Sequence, residues 1–114
     1  KHLIGKREFQ LMKPSAIFIN GSRGQTVDEA ALIDALENQE ILAAGLDVFQ
    51  TEPLPLDSPL LQFTNIVTTP HIGSSTVETE LEMSQLAAEN LKQGLNGERP
   101  SHLVNQEVWE KINQ

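Results

Sequence analysis

Ala16–Ile17–Phe18–Ile19–Asn20–Gly21–Ser22–Arg23–Gly24–Gln25–Thr26–Val27–Asp28–Glu29–Ala30–Ala31–Leu32 is the stretch on which the reading of this chain turns. It opens with a short apolar run rich in β-formers and breaks at Asn20–Gly21–Ser22, the pattern of a strand buried on both faces in a parallel sheet. Asp28 then opens a helix. Ala31, Leu32, Ala35 and Leu36 recur at three-and-four spacing, Glu29 meets the positive end of the helix dipole, and the helix is expected to end near Asn38.

Working outward, residues 43–49 form a second apolar run, interrupted by one acid, Asp47. Residues 65–69 are a third strand candidate, ended by Pro70, His71 and Gly73. Pro53, Pro55 and Pro59 forbid a continuous helix between them and predict a long surface connection. Upstream, residues 8–13 suit a helical turn or two, stopped by Pro14. Downstream, Ser75 or Thr76 caps a long helix to about Asn96, with Glu78, Glu80 and Glu82 near its start and Lys92 near its end. Its face of Met83, Ala87, Leu91 and Leu95 is apolar and must be covered by something, and Gly97 is a plausible stop. Residues 101–114 read as a polar tail whose Leu103, Val104, Val108, Trp109 and Ile112 either dock on a neighbouring surface or wander.

Strand, helix, strand, loop, strand, helix is the rhythm of an α/β layer with a parallel sheet, in which sites gather outside the carboxyl ends of the strands. Those three ends carry residues 20–24, then Asp47 and Glu52, then residues 71–74. Right-handed crossovers would bring them to one side of the sheet.

Composition bounds the partners. The 114 residues, 12.6 kDa, hold one domain at most. Sixteen acids against eight bases give a formal charge of −8, which repels phosphate backbones and anionic lipid and argues against nucleic acid. There is no cysteine, which excludes disulfides and thiolate chemistry and permits a reducing, cytoplasmic setting. No apolar run has the length of a membrane span, residues 1–5 lack the apolar stretch of a secretory signal, and no residues form a metal ligand set. Lys1 stands where a methionine would start a chain, and the opening reads like the middle of a structured protein. From Gly24 to Leu91 there is no Lys or Arg, while twelve carboxylates occupy that interval, so Arg23 is the last sequence-near cation beside a long acidic stretch. A site there has one strong anion hook, although, before any motif is considered, Arg23 reads more simply as neutralising neighbouring acids on a solvated face.

A guanidinium, a carboxylate and an imidazole converging on one sheet edge suit reduction of a 2-oxo acid. Arg23 would grip the substrate carboxylate in two-point fashion, His71 would protonate the carbonyl oxygen as hydride arrives, and Glu52 would accept from the other ring nitrogen and fix the tautomer. Taken singly, His71 is a satisfied loop histidine and Glu52 a solvated loop acid. Asp47 is harder to dismiss, because a carboxylate in an apolar run needs donors or water. Gly21, Gly24, Gly45 and Gly73 could simply serve turns or tight packing.

Residues 16–32 resemble the hallmark segment of the D-isomer-specific 2-hydroxyacid dehydrogenases. Residues 44–53 resemble the family's segment carrying the catalytic glutamate, and residues 69–74 the one carrying its histidine, in the family's order and spacing over roughly residues 1–105. The resemblance implies that Arg23 binds the 2-oxo acid, that His71 is the proton donor and that Glu52 orients and charges it. It also implies that Gly21, Ser22, Arg23, Asp47, His71, Gly73 and Ser74 line the nicotinamide end of NAD or NADP, with Asp47 accepting from the nicotinamide amide. The substrates it implies are small 2-oxo acids such as glyoxylate, hydroxypyruvate or 2-ketogluconate.

One departure is large. No Gly-x-Gly-x-x-Gly occurs anywhere, so the loop that would lay pyrophosphate on a helix N-terminus is absent. The expectation is therefore the C-terminal third of such an enzyme, inactive alone and a homodimer when full length. Residues 1–75 would be half of a Rossmann-like NAD(P)-binding domain, and residues 76–114 a helix and tail returning to the substrate domain. Two other readings compete: a non-catalytic nucleotide-sensing or partner-binding module of the same fold, and a stable half-domain whose exposed helix drives dimerisation.

Overall fold

A computed structural model describes residues 1–112, in which the chain forms two compact units, Lys1–Gly73 and the described residues from Ser74 onward. The first unit is built on a three-stranded parallel sheet, β1 (Ile17–Asn20), β2 (Ala43–Leu46) and β3 (Ile66–Thr68), in the order β1-β2-β3. Ile17 pairs with Ala43 and Ala44 with Ile66, so all three carboxyl ends point the same way. The chain enters through a short extended segment, where Ile4 bridges Val27, and then forms α1 (Lys6–Leu11). That helix begins two residues earlier than its sequence pattern suggests, because Glu8 reaches back to accept from the Gly5 N–H at 2.8 Å.

α2 (Glu29–Glu37) starts where the sequence places it, the Asp28 side chain accepting from Ala31 N. Its apolar stripe, Ala31, Leu32, Ala35 and Leu36, joins Phe9, Ile41, Ala44, Leu46, Phe49 and Leu60 in the core. Phe9 and Phe18 meet edge to face, with ring centroids 5.2 Å apart. α2 closes with Gln39 N donating to Leu36 O and Glu40 N to Ala35 O, a Schellman end in which Gln39 takes φ +56°.

The sheet differs from expectation on one face. Alternation puts Phe18, Ala44, Leu46 and Ile66 toward the core, whereas Ile17, Ile19 and Val67 are 61%, 75% and 70% exposed. The apolar run predicts burial on both faces, but both helices of this unit contribute to a single core and the unit supplies no layer to the opposite face. β2 also ends at Leu46, before Asp47, rather than running through residue 49. The long connection from residue 50 to 64 is irregular apart from a 3-10 turn, Pro59–Gln62, whose Leu60 is buried and whose start is capped by Ser58.

The second unit contains α3 (Val77–Leu95), N-capped by Thr76, and α4 (Gln106–Ile112). Thr76, not Ser75, is the cap, and Gly97 closes the helix at φ +75°. None of the residues of α3 is buried; Leu81, Met83, Leu91 and Leu95 are all exposed. α4 corrects the reading of the tail as a plain polar segment: Val108 and Trp109 lie three and four residues from Ile112 and Asn105, a helical spacing that a short stretch of polar residues disguises. The last two tail residues, 113 and 114, lie outside the described residues. Among the described residues no helix is long and apolar enough to cross a membrane.

Candidate active site

Each of the three strand ends is held by its own device. Asn20 closes β1 and is buried, with every polar group engaged: its Oδ1 accepts from Ser22 N at 3.1 Å and Ser22 Oγ at 2.9 Å, and its Nδ2 donates to Arg23 O at 3.1 Å. This Asx turn delivers Arg23 to the start of a 3-10 turn over Gly24–Thr26. The guanidinium is exposed, with Nη1 donating to Ser22 O at 2.7 Å. Gly21 sits in the same turn without a positive φ, and a Cβ placed on it would meet nothing within 4 Å. Nothing among the described residues demands a glycine there; the open space leaves room for a ligand against the backbone.

Beyond β2, Asp47 is half-buried and accepts from three groups of the third strand end: Thr69 Oγ1 and Ile72 N on Oδ1, the latter at 2.8 Å, and Gly73 N on Oδ2 at 2.9 Å. The Thr69 hydroxyl above all, then the Ile72 N–H, holds its carboxyl below the usual carboxylate range. A carboxylate oxygen has more than one lone-pair direction, so Oδ2 retains capacity for an amide donor from a ligand. Asp47 therefore serves as the clamp of the segment carrying His71, a task its position in an apolar run does not disclose.

His71 lies in the left-handed region at φ +58°, which a non-glycine residue keeps only where its surroundings over-determine it. The Asp47 clamp holds the chain on both sides of it, at Thr69 and at Ile72 and Gly73, and the Glu52 carboxylate takes its ring: Glu52 Oε2 lies 2.7 Å from His71 Nδ1. The other Glu52 oxygen accepts from Phe49 N at 3.1 Å. The imidazole contact first, the Phe49 N–H second, and more weakly the charges of His71 and Arg23 hold Glu52 below the ordinary carboxylate range. With Nδ1 engaged by Glu52, Nε2 is the ring nitrogen left to face a substrate. A cavity of about 530 Å³ adjoins the pair, walled by Phe49, Leu54, Leu61 and Pro70.

The fold thus brings Glu52 and His71 into contact and ties Asp47 to the same loop. Arg23 reaches them through its field; among the described residues no hydrogen bond joins it to either. Gly73 donates to Asp47, and Ser74, exposed, belongs to the second unit. The sequence pattern alone does not single out Asn20 and Thr69, although an Asn directly before Gly–Ser at a strand end is a turn signal.

A parallel α/β layer with an acid–imidazole pair and a separate guanidinium at its strand ends defines a class: a partial dinucleotide-binding fold with polar side chains gathered where such folds take their ligands. Residues 1–73 match the family described as D-isomer specific 2-hydroxyacid dehydrogenase, NAD binding domain, and the chain belongs to that family. Glyoxylate/hydroxypyruvate reductase B of Enterobacter sp. (strain 638) is 59% identical over 107 residues, 94% of this chain and 33% of the relative. The protein of that name from Klebsiella pneumoniae subsp. pneumoniae is 56% identical over the same shares. The chain spans about a third of the length of these curated relatives.

Among solved structures, the TT0316 protein of Thermus thermophilus superimposes with a TM-score of 0.82 at 42% identity, over 90% of this chain and 33% of that one. The NADPH-dependent glyoxylate/hydroxypyruvate reductase of Sinorhizobium meliloti, solved with NADP and malonate, gives 0.74 at 43% identity, over 79% and 28%.

Proposed function

We propose that this chain is the C-terminal part of an NAD(P)H-dependent reductase of small 2-oxo acids, glyoxylate or hydroxypyruvate foremost, which works only within the full-length protein. The observation that carries the reading is the 2.7 Å contact of Glu52 with His71 Nδ1, which commits Nε2 to the substrate side. Arg23 binds the carboxylate of the acid through its planar fork. His71 gives its Nε2 proton to the carbonyl oxygen and keeps Nδ1–H on Glu52, whose ionised carboxylate offsets the charge the ring carries beforehand. The nicotinamide, when bound, supplies the hydride to C2. Asn20 and Asp47 hold the two segments that must meet. The open space over Gly21 and the spare capacity of Asp47 Oδ2 suit the nicotinamide end of NAD or NADP, while the pyrophosphate loop lies outside this sequence.

Residues 76–114 then belong with the substrate domain of the full protein, residues 1–75 with the cofactor domain, and a cytoplasmic homodimer is the assembly this reading favours. The high identity to reductases of that name supports the substrate class, and Arg23, Glu52 and His71 together favour turnover over a purely nucleotide-sensing module. The test is kinetic. In the full-length protein with glyoxylate and NADPH, His71→Ala is expected to lower kcat by about 10²–10⁴-fold, and Arg23→Ala to raise KM for the acid. The 114-residue chain alone is expected to show no turnover. Unchanged kinetics in both variants, or full activity of the short chain, would refute the reading.

A further inference from the structure

Gly24 stands where the turn bearing Arg23 meets the segment bearing Glu52, and it is buried. A Cβ placed on it would lie 1.9 Å from Phe49 O, 2.0 Å from Phe49 C and 2.5 Å from Gln50 N. These are backbone atoms, which cannot swing aside as a side chain can. Gly24 has no positive φ, so its missing side chain serves proximity and not conformational freedom.

The carbonyl it touches belongs to Phe49, whose own N–H, in the preceding peptide, helps to organise the acid–imidazole pair. Phe49 N donates to Glu52 Oε1, while Gln50 N donates to Glu29 Oε2 at 3.1 Å. Gln50 Nε2 donates to Val27 O, also at 3.1 Å. Residues 49 and 50 are therefore gripped by the Gly24 turn and by the first turn of α2, with Arg23 one residue away from the contact.

We propose that Gly24 is a positioning residue: its bare Cα lets the Arg23 turn seat directly on the Phe49–Gln50 peptide and thereby sets the separation between the guanidinium and the Glu52–His71 pair. Glu29 secures the same peptide through its Gln50 N–H. The inference rests on the reductase reading above and assigns to Gly24 the spacing that reading requires. Because the acid can still bind Arg23 when that spacing is wrong, the loss falls on the proton-transfer geometry rather than on capture. A misplacement of about 1 Å costs on the order of 100-fold in rate.

The experiment uses the full-length protein with glyoxylate and NADPH. Gly24→Ala is expected to lower kcat on the order of 100-fold, with a far smaller change in KM for glyoxylate and unaltered NADPH binding by fluorescence titration. The acid limb of its kcat/KM profile is expected to move to higher pH, because Glu52 loses its Phe49 N–H donor. Gly5→Ala, whose added Cβ meets Glu8 at an ordinary 3.6 Å, is the control and should behave as the parent.

If Gly24→Ala does not fold, the Glu29 pair decides. Glu29→Ala is expected to lower kcat roughly tenfold and shift the same limb, and Glu29→Gln, which keeps an acceptor for Gln50 N–H, to restore both. A folded Gly24→Ala protein with parental kcat and pH profile overturns the proposal, as does a Glu29→Gln protein as impaired as Glu29→Ala. Parental kinetics in Arg23→Ala and His71→Ala would instead overturn the reductase reading and this inference with it; loss in those two alongside a silent Gly24→Ala overturns the inference alone.

Discussion

Leu60 ties the long β2–β3 connection to the core, and its truncation gives the most quantitative test of how the loop is held. It is 1% exposed, sits in the only helical turn among residues 50–64 and belongs to the cluster that contains Leu32, Ala35 and Phe49. Leu60→Ala removes three carbons, about 2.4 kcal/mol of transfer free energy at about 0.8 kcal/mol per methylene. A residual cavity adds up to about 24 cal/mol per Å³. The site lies under a loop that can settle inward, so the total should fall at the low end of the Leu→Ala range, about 2.5–3 kcal/mol. Urea unfolding should show a midpoint lower by roughly 1–2 M with an unchanged slope. Amide exchange should accelerate across residues 54–64 before α2, since the loop loses its anchor first. A loss under about 1 kcal/mol, or exchange that rises equally in α2, would refute the idea that this one side chain fastens the loop.

Three further outcomes follow from the same structure. Gln39→Gly should stabilise the protein by about 0.5–1 kcal/mol in urea titrations, because it relieves an L-residue at φ +56° in the helix end that Gly97 fills in α3. Asp47 and Glu52 both have folded-state pKa values held below their unfolded ones, so the stability they confer is fully present above the unfolded carboxylate range and is lost as pH falls through the depressed values. Asp47→Asn should flatten that acid-side slope in pH-dependent melting. Glu52→Gln should keep the fold and lower kcat by about 10²-fold or more, visible in NADPH oxidation, by removing the charge that faces His71 Nδ1.

The backbone layout was legible because local signals agreed with one another: Asp28 ahead of the Ala31–Leu32–Ala35–Leu36 stripe, prolines through the long connection, Thr76 and Gly97 bracketing α3. The Glu52–His71 contact followed from placing two polar residues at neighbouring strand ends of a parallel sheet. What escaped depends on distances across the fold. The Asp47 clamp needs residue 47 beside residues 69–73, and the Gly24 contact needs two loops in van der Waals range, neither of which periodicity encodes. The bare face of Ile17, Ile19 and Val67 escaped for another reason: apolar composition reports what a strand tolerates on each side, not whether a layer is present to cover it.

The most direct measurement is a crystal structure of the full-length protein with NADP and oxamate, a 2-oxo-acid analogue. The oxamate carboxylate is expected in a two-point contact with the Arg23 guanidinium, at about 2.7–3.0 Å, with its carbonyl oxygen in hydrogen-bond range of His71 Nε2 while Nδ1 stays on Glu52. Oxamate seated away from Arg23, or His71 turned so that Nδ1 leaves Glu52, would contradict the assignment.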